Sequence, residues 1–464
     1  MFFTPCLAIM VRGQLALSTA VARSAHLRLQ QRQRRYSRGN GCVRNQRTER
    51  IPMPTVVLVG TLDTKGAEYG YVRDRLRAAG CEVILVDAGV LGEPLITPDI
   101  SRAEVARAAG TTIEALVAQA DRGTAIETMA RGATQIVRTL FQQGKLHGIL
   151  GLGGSGGSAL VTAAMRALPI GVPKLMVSTL AAGDTRPYIG VSDIALLYPV
   201  VDIAGLNRLS EQILANAAGA IAGMAQAYEQ YRPPQTAKPL IGATMFGVTT
   251  PCVTAARQRL EELGYEVLVF HATGTGGRAM EALVTGGFLA GVLDITTTEL
   301  ADELVGGVLS AGPERLEAAG AMGIPQVVSL GALDMVNFGP IDTVPERFRH
   351  RRLYKHNPTV TLMRTTPEEC AELGRIIAQK LNQARGPVVV FIPKRGVSAI
   401  ATEGGPFYDP DADQALFTAL KAHLRPDIPV EEWDTDINDP AFARAMAERL
   451  AALIEAQAPG GWRA

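Results

Sequence analysis

Short apolar runs alternate with amphipathic stretches along the chain from Met53 onward. Runs of five or six apolar residues indicate buried strands, and longer stretches with apolar positions three and four apart indicate covering helices. This alternation is typical of βαβ units on a parallel sheet. In the first half it predicts strands over 55–59, 82–87, 147–152 and 173–178, and helices over 67–79, 101–109, 124–143, 156–168 and 206–229.

A polar, Pro-rich stretch, YRPPQTAKP over 231–239, interrupts this alternation and is the best candidate for a linker. The alternation then resumes. We therefore predict two Rossmann-like, doubly wound α/β domains with mainly parallel sheets, over 53–230 and 239–464, joined by a linker over 231–238. The predicted second-half strands are 239–245, 266–270, 288–294, 325–330 and 387–392, with helices near 252–263, 278–285, 312–320, 368–383, 411–422 and 440–456.

The two halves also resemble each other at their helix–Gly–strand corners. RLRAAGCEV at 75–83 corresponds to RLEELGYEV at 259–267, and GVPK at 171–174 corresponds to GIPQ at 323–326. Such corners recur in many α/β proteins, but two matches in the same order indicate a duplicated domain.

Charge is distributed unevenly between the leader and the rest of the chain. Residues 1–52 contain ten Arg and one acidic residue, Glu49, whereas the remainder holds 36 basic and 44 acidic residues. An organelle transit peptide is one interpretation of such an Arg-rich segment. We favour a disordered extension or a start assigned too early, because Met53 directly precedes the first predicted strand.

Composition narrows the protein class further. The five cysteines form no CxxC and no metal spacing, so we expect reduced thiols and a cytoplasmic location. No apolar stretch is long enough to span a membrane. Aromatic residues make up only 5% of the chain, which argues against a stacking surface for nucleic acid, and no specific nucleic-acid partner is expected.

The strongest candidate site is a glycine-rich run between a predicted strand and a predicted helix. Backbone N–H groups in such a turn approach an anion closely, and the helix N-terminus adds positive potential. The alternative is a tight turn that only allows close helix–strand packing. The number of glycines favours a phosphate site, for which the candidates are Gly153, Gly154, Ser155, Gly156 and Gly157, followed by Ser158.

Three further segments are predicted to lie near this run. In GTLDTKG over 60–66, Lys65 could contact phosphate and Asp63 could bind a ribose hydroxyl or hydrated Mg²⁺, but the segment fits a helix cap equally well. Arg122, at the start of a long helix, could pair with phosphate or be solvated. Ser178 and Thr179 end the strand after the glycine run and could instead satisfy local backbone groups.

The second half has a glycine turn of its own, HATGTGGR over 271–278, which could hold a second anion. Where the first half has its glycine run, the second has DITTTE over 294–299. Carboxylates there would repel an anion, so that phosphate role is predicted to be lost. An alternative function is a small-molecule hydrolase or transferase that uses Asp294, Glu299 and Asp334 in an interdomain cleft, although such residues more often cap helices and turns. Asn337, His356 and Asn357 are possible members of that polar site.

Several motifs, taken in order, resemble one family. They are GTLDTK at 60–65, ILGLGGSGG at 149–157, LPIGVPK at 168–174, YIGVSD at 188–193 and VDIAGLN at 201–207. This set is similar to the ATP-binding N-terminal region of the tomato mosaic virus resistance protein and its uncharacterised bacterial relatives. The resemblance extends from Met53 essentially to the C-terminus.

The resemblance implies two Rossmann-like domains, ATP bound mainly by the first with or without Mg²⁺, and a homodimer. The plant protein has a further TIM-barrel region, so a function that needs both parts implies a separate TIM-barrel partner protein. We expect the bound ATP to have a regulatory or weakly catalytic role. The ATP contacts implied by motif match are Asp63, Thr64, Lys65, Arg122, Gly123, the 153–157 turn, Ser178, Thr179, Asn207, Ser210 and Asn216.

Overall fold

The structure is a computed structural model that describes residues 53–232, 234 and 238–457. The predicted leader over 1–52 and part of the predicted linker lie outside the described residues. The first half contains β1 (Thr55–Gly60), α1 (Leu62–Ala78), β2 (Glu82–Asp87), α2 (Arg102–Ala108), α3 (Ile113–Gln119), α4 (Arg122–Gln142), β3 (Gly148–Gly153), α5 (Ser155–Arg166), β4 (Lys174–Ser178), α6 (Arg186–Ile189), β5 (Ala195–Leu197) and α7 (Arg208–Gln230).

The first sheet has five strands in the order β2-β1-β3-β4-β5, and every neighbouring pair is parallel. One apolar cluster on the sheet includes Val57, Ile149 and Met176, whereas another includes Val56, Leu150 and Leu175. Alternate residues of the same strands therefore face opposite layers of helices, as in a doubly wound domain.

The second half repeats this plan with additions. It contains β6 (Leu240–Met245), α8 (Thr250–Glu262), β7 (Glu266–His271), α9 (Thr275–Thr285), β8 (Gly291–Thr296), α10 (Glu299–Val305), α11 (Ala318–Met322), β9 (Gln326–Gly331), β10 (Met335–Phe338), β11 (Leu353–Asn357), β12 (Val360–Arg364), α12 (Pro367–Asn382), β13 (Val388–Pro393), α13 (Pro410–His423), β14 (Val430–Trp433) and α14 (Pro440–Gln457).

The second sheet has the order β14-β13-β9-β8-β6-β7 and is also wholly parallel. Its first five strands in chain order repeat the arrangement of the first sheet. The prediction of two Rossmann-like domains with mainly parallel sheets is therefore confirmed. An antiparallel sheet, β10-β12-β11, follows β9 and was not predicted.

The predicted helix over 312–320 is wrong in extent. The sequence predicts a helix over 312–320, but the structure has turns at 313–316 and a short α11 over Ala318–Met322. Leu316 has φ +74°, outside the helical region, and this interrupts the chain before α11. Helices α3, α6 and α10 and strands β5 and β14 were not predicted. No helix among the described residues is long and apolar enough to span a membrane.

Candidate functional site

The candidate site lies at the carboxyl edge of the first sheet, where strands β1 and β3 are neighbours. From β1, the chain adds β2 on one side of the sheet and then β3, β4 and β5 on the other, so the topological switch point lies between β1 and β3. Ligands of open α/β sheets bind in the crevice outside such a switch point. Neighbouring strands are about 4.8 Å apart. The loop after β1 and the first glycine turn, defined as residues 153–158, therefore leave the sheet side by side.

Packing explains some glycines of this region but not all of them. A Cβ on Gly151 would lie 2.4 Å from Val161 Cγ1, and one on Gly153 would lie 3.0 Å from Gly157 Cα. Gly154 differs, because its φ is −84° and the nearest atom to a Cβ would be Thr179 Oγ1 at 3.6 Å. A side chain fits there, so packing does not require a glycine at position 154.

The first glycine turn opens helix α5 without a capping side chain. Gly154 is the N-cap residue, and no side chain among the described residues caps it. Ser155 is exposed, and Gly156 and Gly157 are half-buried. The first N–H groups of a helix have no intrahelical acceptor and carry partial positive charge. This helix start is thus an accessible site for an anion.

Two of the predicted contacts lie beside the first glycine turn. Arg122 is exposed, and its Nη2 is 3.7 Å from the point that a Cβ on Gly156 would occupy. Thr179 adjoins Gly154. Gly123 is exposed in the first turn of α4, where the side chain of Asp121 caps the helix by accepting from Thr124 N–H. The guanidinium of Arg122 is therefore close enough to the turn to contact an anion bound there.

The first turns of α1, which follow β1, are anchored to the segment that precedes α7. Helix α1 begins at Leu62, five residues earlier than predicted, and is kinked at Lys65. The Lys65 amine donates to Ile203 O, and buried Glu68 accepts from Gly205 N–H at 2.7 Å. Thr64 is exposed, and its hydroxyl pairs with that of Thr61. Lys65 is thus held within this loop cluster.

The predicted contacts on α7 divide into two groups. Asn207 is the N-cap residue of this helix, and Ser210 completes a reciprocal capping box with it. The Asn207 Oδ1 and Ser210 Oγ atoms are occupied within the helix start, whereas the Asn207 side chain remains exposed. Asn216 is exposed and accepts from Gln212, about 13 Å along the helix axis from Asn207. The structure therefore does not bring Asn216 to the helix start.

Ser178 has a structural role in this arrangement. Its hydroxyl lies 2.6 Å from that of Ser158, and it also accepts from Leu180 N–H at 3.0 Å. Both serines are buried. The pair connects the end of β4 to the first turn of α5 and so holds the first glycine turn in place.

Tyr69 is a positioning residue that the sequence analysis missed. Its hydroxyl donates to Val59 O at 2.6 Å and accepts from Leu152 N–H at 2.8 Å. The phenol thereby joins the ends of β1 and β3 at the crevice. Burial raises the pKa of Tyr69 above its usual value, so the hydroxyl remains protonated. A tyrosine within a helical apolar pattern resembles any core residue, which is why no signal distinguished it.

The second glycine turn, defined as residues 271–278, already holds an anion from the protein itself. Glu299 Oε1 accepts from Gly274 N–H at 2.7 Å and from Gly277 N–H at 3.0 Å. Its Oε2 accepts from Arg315 Nε at 2.7 Å. A Cβ on Gly277 would lie 2.1 Å from Glu299 Oε2. The turn is therefore filled by a carboxylate.

Arg315 also binds Asp294, at 2.5 Å through Nη1 and 2.7 Å through Nη2. Burial opposes the charge on Arg315, but the surrounding carboxylates outweigh it and hold the pKa of the guanidinium well above its usual value. The oxygens of Asp294 and Glu299 all have partners in this buried network. The network is a structural element of the second domain.

Asp334 lies in a separate buried environment. Its Oδ2 accepts from Ser398 Oγ at 2.8 Å, whereas Oδ1 is buried without a partner among the described residues. Burial raises the pKa of Asp334 to about 6, against the opposing effect of Arg364.

The other predicted polar residues lie elsewhere. Asn337 binds Asp302, whose pKa is raised by burial to about 7. His356 and Asn357 are exposed at the end of β11. The structure therefore does not bring the residues of the predicted polar site together in one place.

These features define a class: a protein of two duplicated, doubly wound α/β domains, with an uncapped glycine turn at the crevice of the first sheet. Within the described residues, no group of three or more His, Cys, Asp or Glu side chains is arranged to hold a metal. Family models for the N-terminal and C-terminal domains of uncharacterised protein family UPF0261 match residues 54–230 and 238–454. The chain belongs to this family.

Relatives from bacteria and a plant agree with this assignment. A UPF0261 protein of Clostridium tetani is 55% identical over 86% of this chain and 99% of its own length. Another, from Rhizobium meliloti, is 52% identical over 85% of this chain and 97% of its own. The ToMV resistance protein Tm-1(GCR237) of Solanum lycopersicum is 42% identical over 85% of this chain, which spans 55% of the tomato protein.

Solved structures give only a weak likeness. The UDP-N-acetylglucosamine 2-epimerase of Rickettsia bellii is 11% identical, with a TM-score of 0.20, over 88% of this chain and 99% of its own. That of Methanocaldococcus jannaschii is 8% identical, also with a TM-score of 0.20, over 86% of this chain and 100% of its own. Scores this low carry no argument about function.

Proposed function

We propose that the chain binds ATP at the first glycine turn, and that the bound nucleotide has a regulatory or weakly catalytic role. The observation that carries this proposal is Gly154, a helix N-cap without a capping side chain, at a position where packing would admit one. A phosphate is the natural partner of such a helix start. The preference for an adenine nucleotide rests on the motif resemblance.

Two side chains support the placement of phosphate here. The exposed guanidinium of Arg122 adjoins Gly156, and the hydroxyl of Thr179 adjoins Gly154. A guanidinium offers two parallel donors to phosphate, and a hydroxyl offers a third. We expect these groups to surround the phosphate chain.

Calorimetric titration of the full chain with ATP, ADP and NAD tests this proposal. We expect ATP to bind with one site per chain and more tightly than NAD. Phosphate release in the same samples would separate binding alone from slow turnover. Equal affinity for ATP and NAD, or heat from neither, would contradict the proposal.

Gly154→Val provides the site-specific arm of the experiment. The Cβ of a valine would meet Thr179 Oγ1 first, at 3.6 Å, and its methyl groups would cover the N–H groups of the turn. ATP affinity should therefore fall about a hundredfold while the melting temperature without ligand changes little. The matched control is Gly219→Val, at an exposed position on α7 with no atom within 4 Å of a new Cβ. ATP affinity of the control should equal that of the wild type.

The alternative of a small-molecule hydrolase or transferase is less well supported. Asp294 and Glu299 are occupied by Arg315, so two of its three proposed acids have no free oxygen for a substrate or metal. The expectations of a homodimer, a cytoplasmic location and a separate TIM-barrel partner accompany the ATP proposal. Light scattering of the purified chain measures the first of these directly.

A further inference from the structure

Two carboxylates meet beside the loop after β1. Asp63 belongs to the first turn of α1, and Asp87 is the last residue of β2. A Cβ on Gly89 would lie 2.9 Å from Asp63 Oδ1 and 3.1 Å from Asp87 Oδ1. The backbone of Gly89 does not have positive φ, so its conformation does not demand glycine. The missing side chain instead lets Asp63 Oδ1 and Asp87 Oδ1 both lie close to the backbone of Gly89.

Each carboxylate keeps one buried oxygen without a partner among the described residues. Asp87 Oδ1 accepts from Leu62 N–H at 3.1 Å and from Gly89 N–H at 2.9 Å, whereas its Oδ2 has no partner. Asp63 Oδ2 accepts from Gly92 N–H at 3.2 Å, whereas its Oδ1 has none. Asp87 is only 1% exposed. Asp87 is thus a buried carboxylate and Asp63 a half-buried one, and each has unfilled acceptor capacity.

Two neighbouring carboxylates with unpartnered oxygens are unfavourable unless a positive charge binds to them. Burial raises the pKa of Asp87, and the neighbouring Asp63 raises it further. The guanidinium of Arg102 opposes this rise, but it donates to Gly92 O and to Glu93 at 2.7 Å rather than to either carboxylate. Buried carboxylates without partners are rare, because losing their hydration is costly. A bound cation would offset that cost.

We propose that Asp63 and Asp87 bind a divalent cation of the Mg²⁺ type beside the first glycine turn. Carboxylate oxygens are the ligands that Mg²⁺ prefers, and it typically uses one or two of them together with waters and nucleotide phosphates. The inference rests on the proposed function to the extent that phosphate supplies further ligands. Both free oxygens are enclosed, so the space suits an ion better than a ribose ring.

Electron paramagnetic resonance titration of the full chain with Mn²⁺, without nucleotide, tests the inference. We expect one Mn²⁺ per chain with a dissociation constant of about a millimolar or below. Asp63→Asn and Asp87→Asn should each weaken it at least tenfold. Both amides can still accept from the backbone N–H groups, and Asp63→Asn remains informative if Asp87→Asn folds poorly.

Asp99→Asn is the matched control. Asp99 Oδ2 accepts from Leu85 N–H at 2.8 Å, so this carboxylate also caps a backbone group near β2, but it has no buried free oxygen. Its substitution should leave Mn²⁺ affinity within twofold. No Mn²⁺ binding by the wild type, or equal binding by all four proteins, would overturn the inference.

ATP titration in EDTA separates this inference from the proposed function. ATP binding without a Mn²⁺ site would overturn the cation site alone, and a Mn²⁺ site without ATP binding would overturn the nucleotide proposal alone. A loss of ATP affinity in Asp63→Asn and Asp87→Asn in EDTA, with Mn²⁺ binding unchanged, would assign the carboxylates to ribose and overturn the cation site.

Discussion

The two glycine turns are alike in composition but differ in what they contain. In the second glycine turn, the N–H groups of Gly274 and Gly277 donate to the carboxylate of Glu299. In the first glycine turn, no side chain among the described residues caps the helix start at Gly154. The same kind of backbone arrangement thus serves the protein's own anion in one domain and remains accessible to an external anion in the other.

The two turns occupy different positions in the duplicated topology, because the first follows β3 whereas the second follows β7, the counterpart of β2. Ser155 begins the helix after β3, and Glu299 begins the helix after the equivalent strand, β8. The carboxylate at that position reaches the second glycine turn, where Arg315 balances its charge. A glycine-rich turn is therefore evidence for a ligand only when the fold shows that no internal group fills it.

The largest expected effect comes from emptying the second glycine turn. Glu299→Ala removes one partner of a buried ion pair and should lower the free energy of unfolding by about 3–5 kcal/mol, measured by urea denaturation. Formate should restore part of this loss in Glu299→Ala but have no such effect on the wild type. Glu303→Ala, at an exposed position of the same helix, is the control. A loss of under 1 kcal/mol for Glu299→Ala would refute the structural role.

A smaller effect is expected at the support of the first glycine turn. Tyr69→Phe leaves Leu152 N–H buried without its partner, which should lower the free energy of unfolding by about 1–3 kcal/mol. We also expect weaker ATP binding, because the ends of β1 and β3 lose their bridge. Tyr71→Phe on the same helix controls for a general effect of removing a hydroxyl. Unchanged stability and ATP affinity in Tyr69→Phe would contradict this role.

Arg122 tests whether the first glycine turn is open to a phosphate. Arg122→Ala should weaken ATP binding about tenfold and reduce its dependence on salt, because one charge-assisted contact is lost. Arg138→Ala, about 24 Å further along the same helix, should bind ATP normally. Calorimetry at two salt concentrations gives both quantities. If the two variants bind alike, Arg122 does not contact the nucleotide.

The smallest effect concerns the buried acid of the second domain. The folded-state pKa of Asp334 is raised to about 6 by burial, so its contribution is present at low pH and is lost as the pH rises through that value. Stability should thus fall by about 1 kcal/mol between pH 5 and pH 7 from this group alone. Asp334→Asn should flatten that part of the profile in chemical denaturation. An identical slope in the variant would assign the dependence to other groups.

Much of the fold follows from the sequence, because buried parallel strands appear as apolar runs of the right length. Strands such as β1 and β3 were predicted within one residue. The antiparallel sheet was missed because Leu353–Asn357 is partly polar and exposed, so it has no apolar run. Local pattern also cannot reveal the turn before α11, where Leu316 has positive φ.

The candidate site was predictable only where its signal is local. The glycine run is visible in the sequence, and so is Arg122 at a helix start. Glu299 fills the second glycine turn through hydrogen bonds to residues 22 and 25 positions earlier in the sequence. Tyr69 contacts Leu152, which lies 83 positions later. Contacts of this range depend on the strand order, which the sequence pattern alone does not specify.

Hydrogen–deuterium exchange with and without saturating ATP tests the contrast between the two turns most directly. The account predicts slower exchange in peptides that cover the first glycine turn, 153–158, and no change in those that cover the second, 271–278. Slower exchange at 271–278, or none at 153–158, would contradict it.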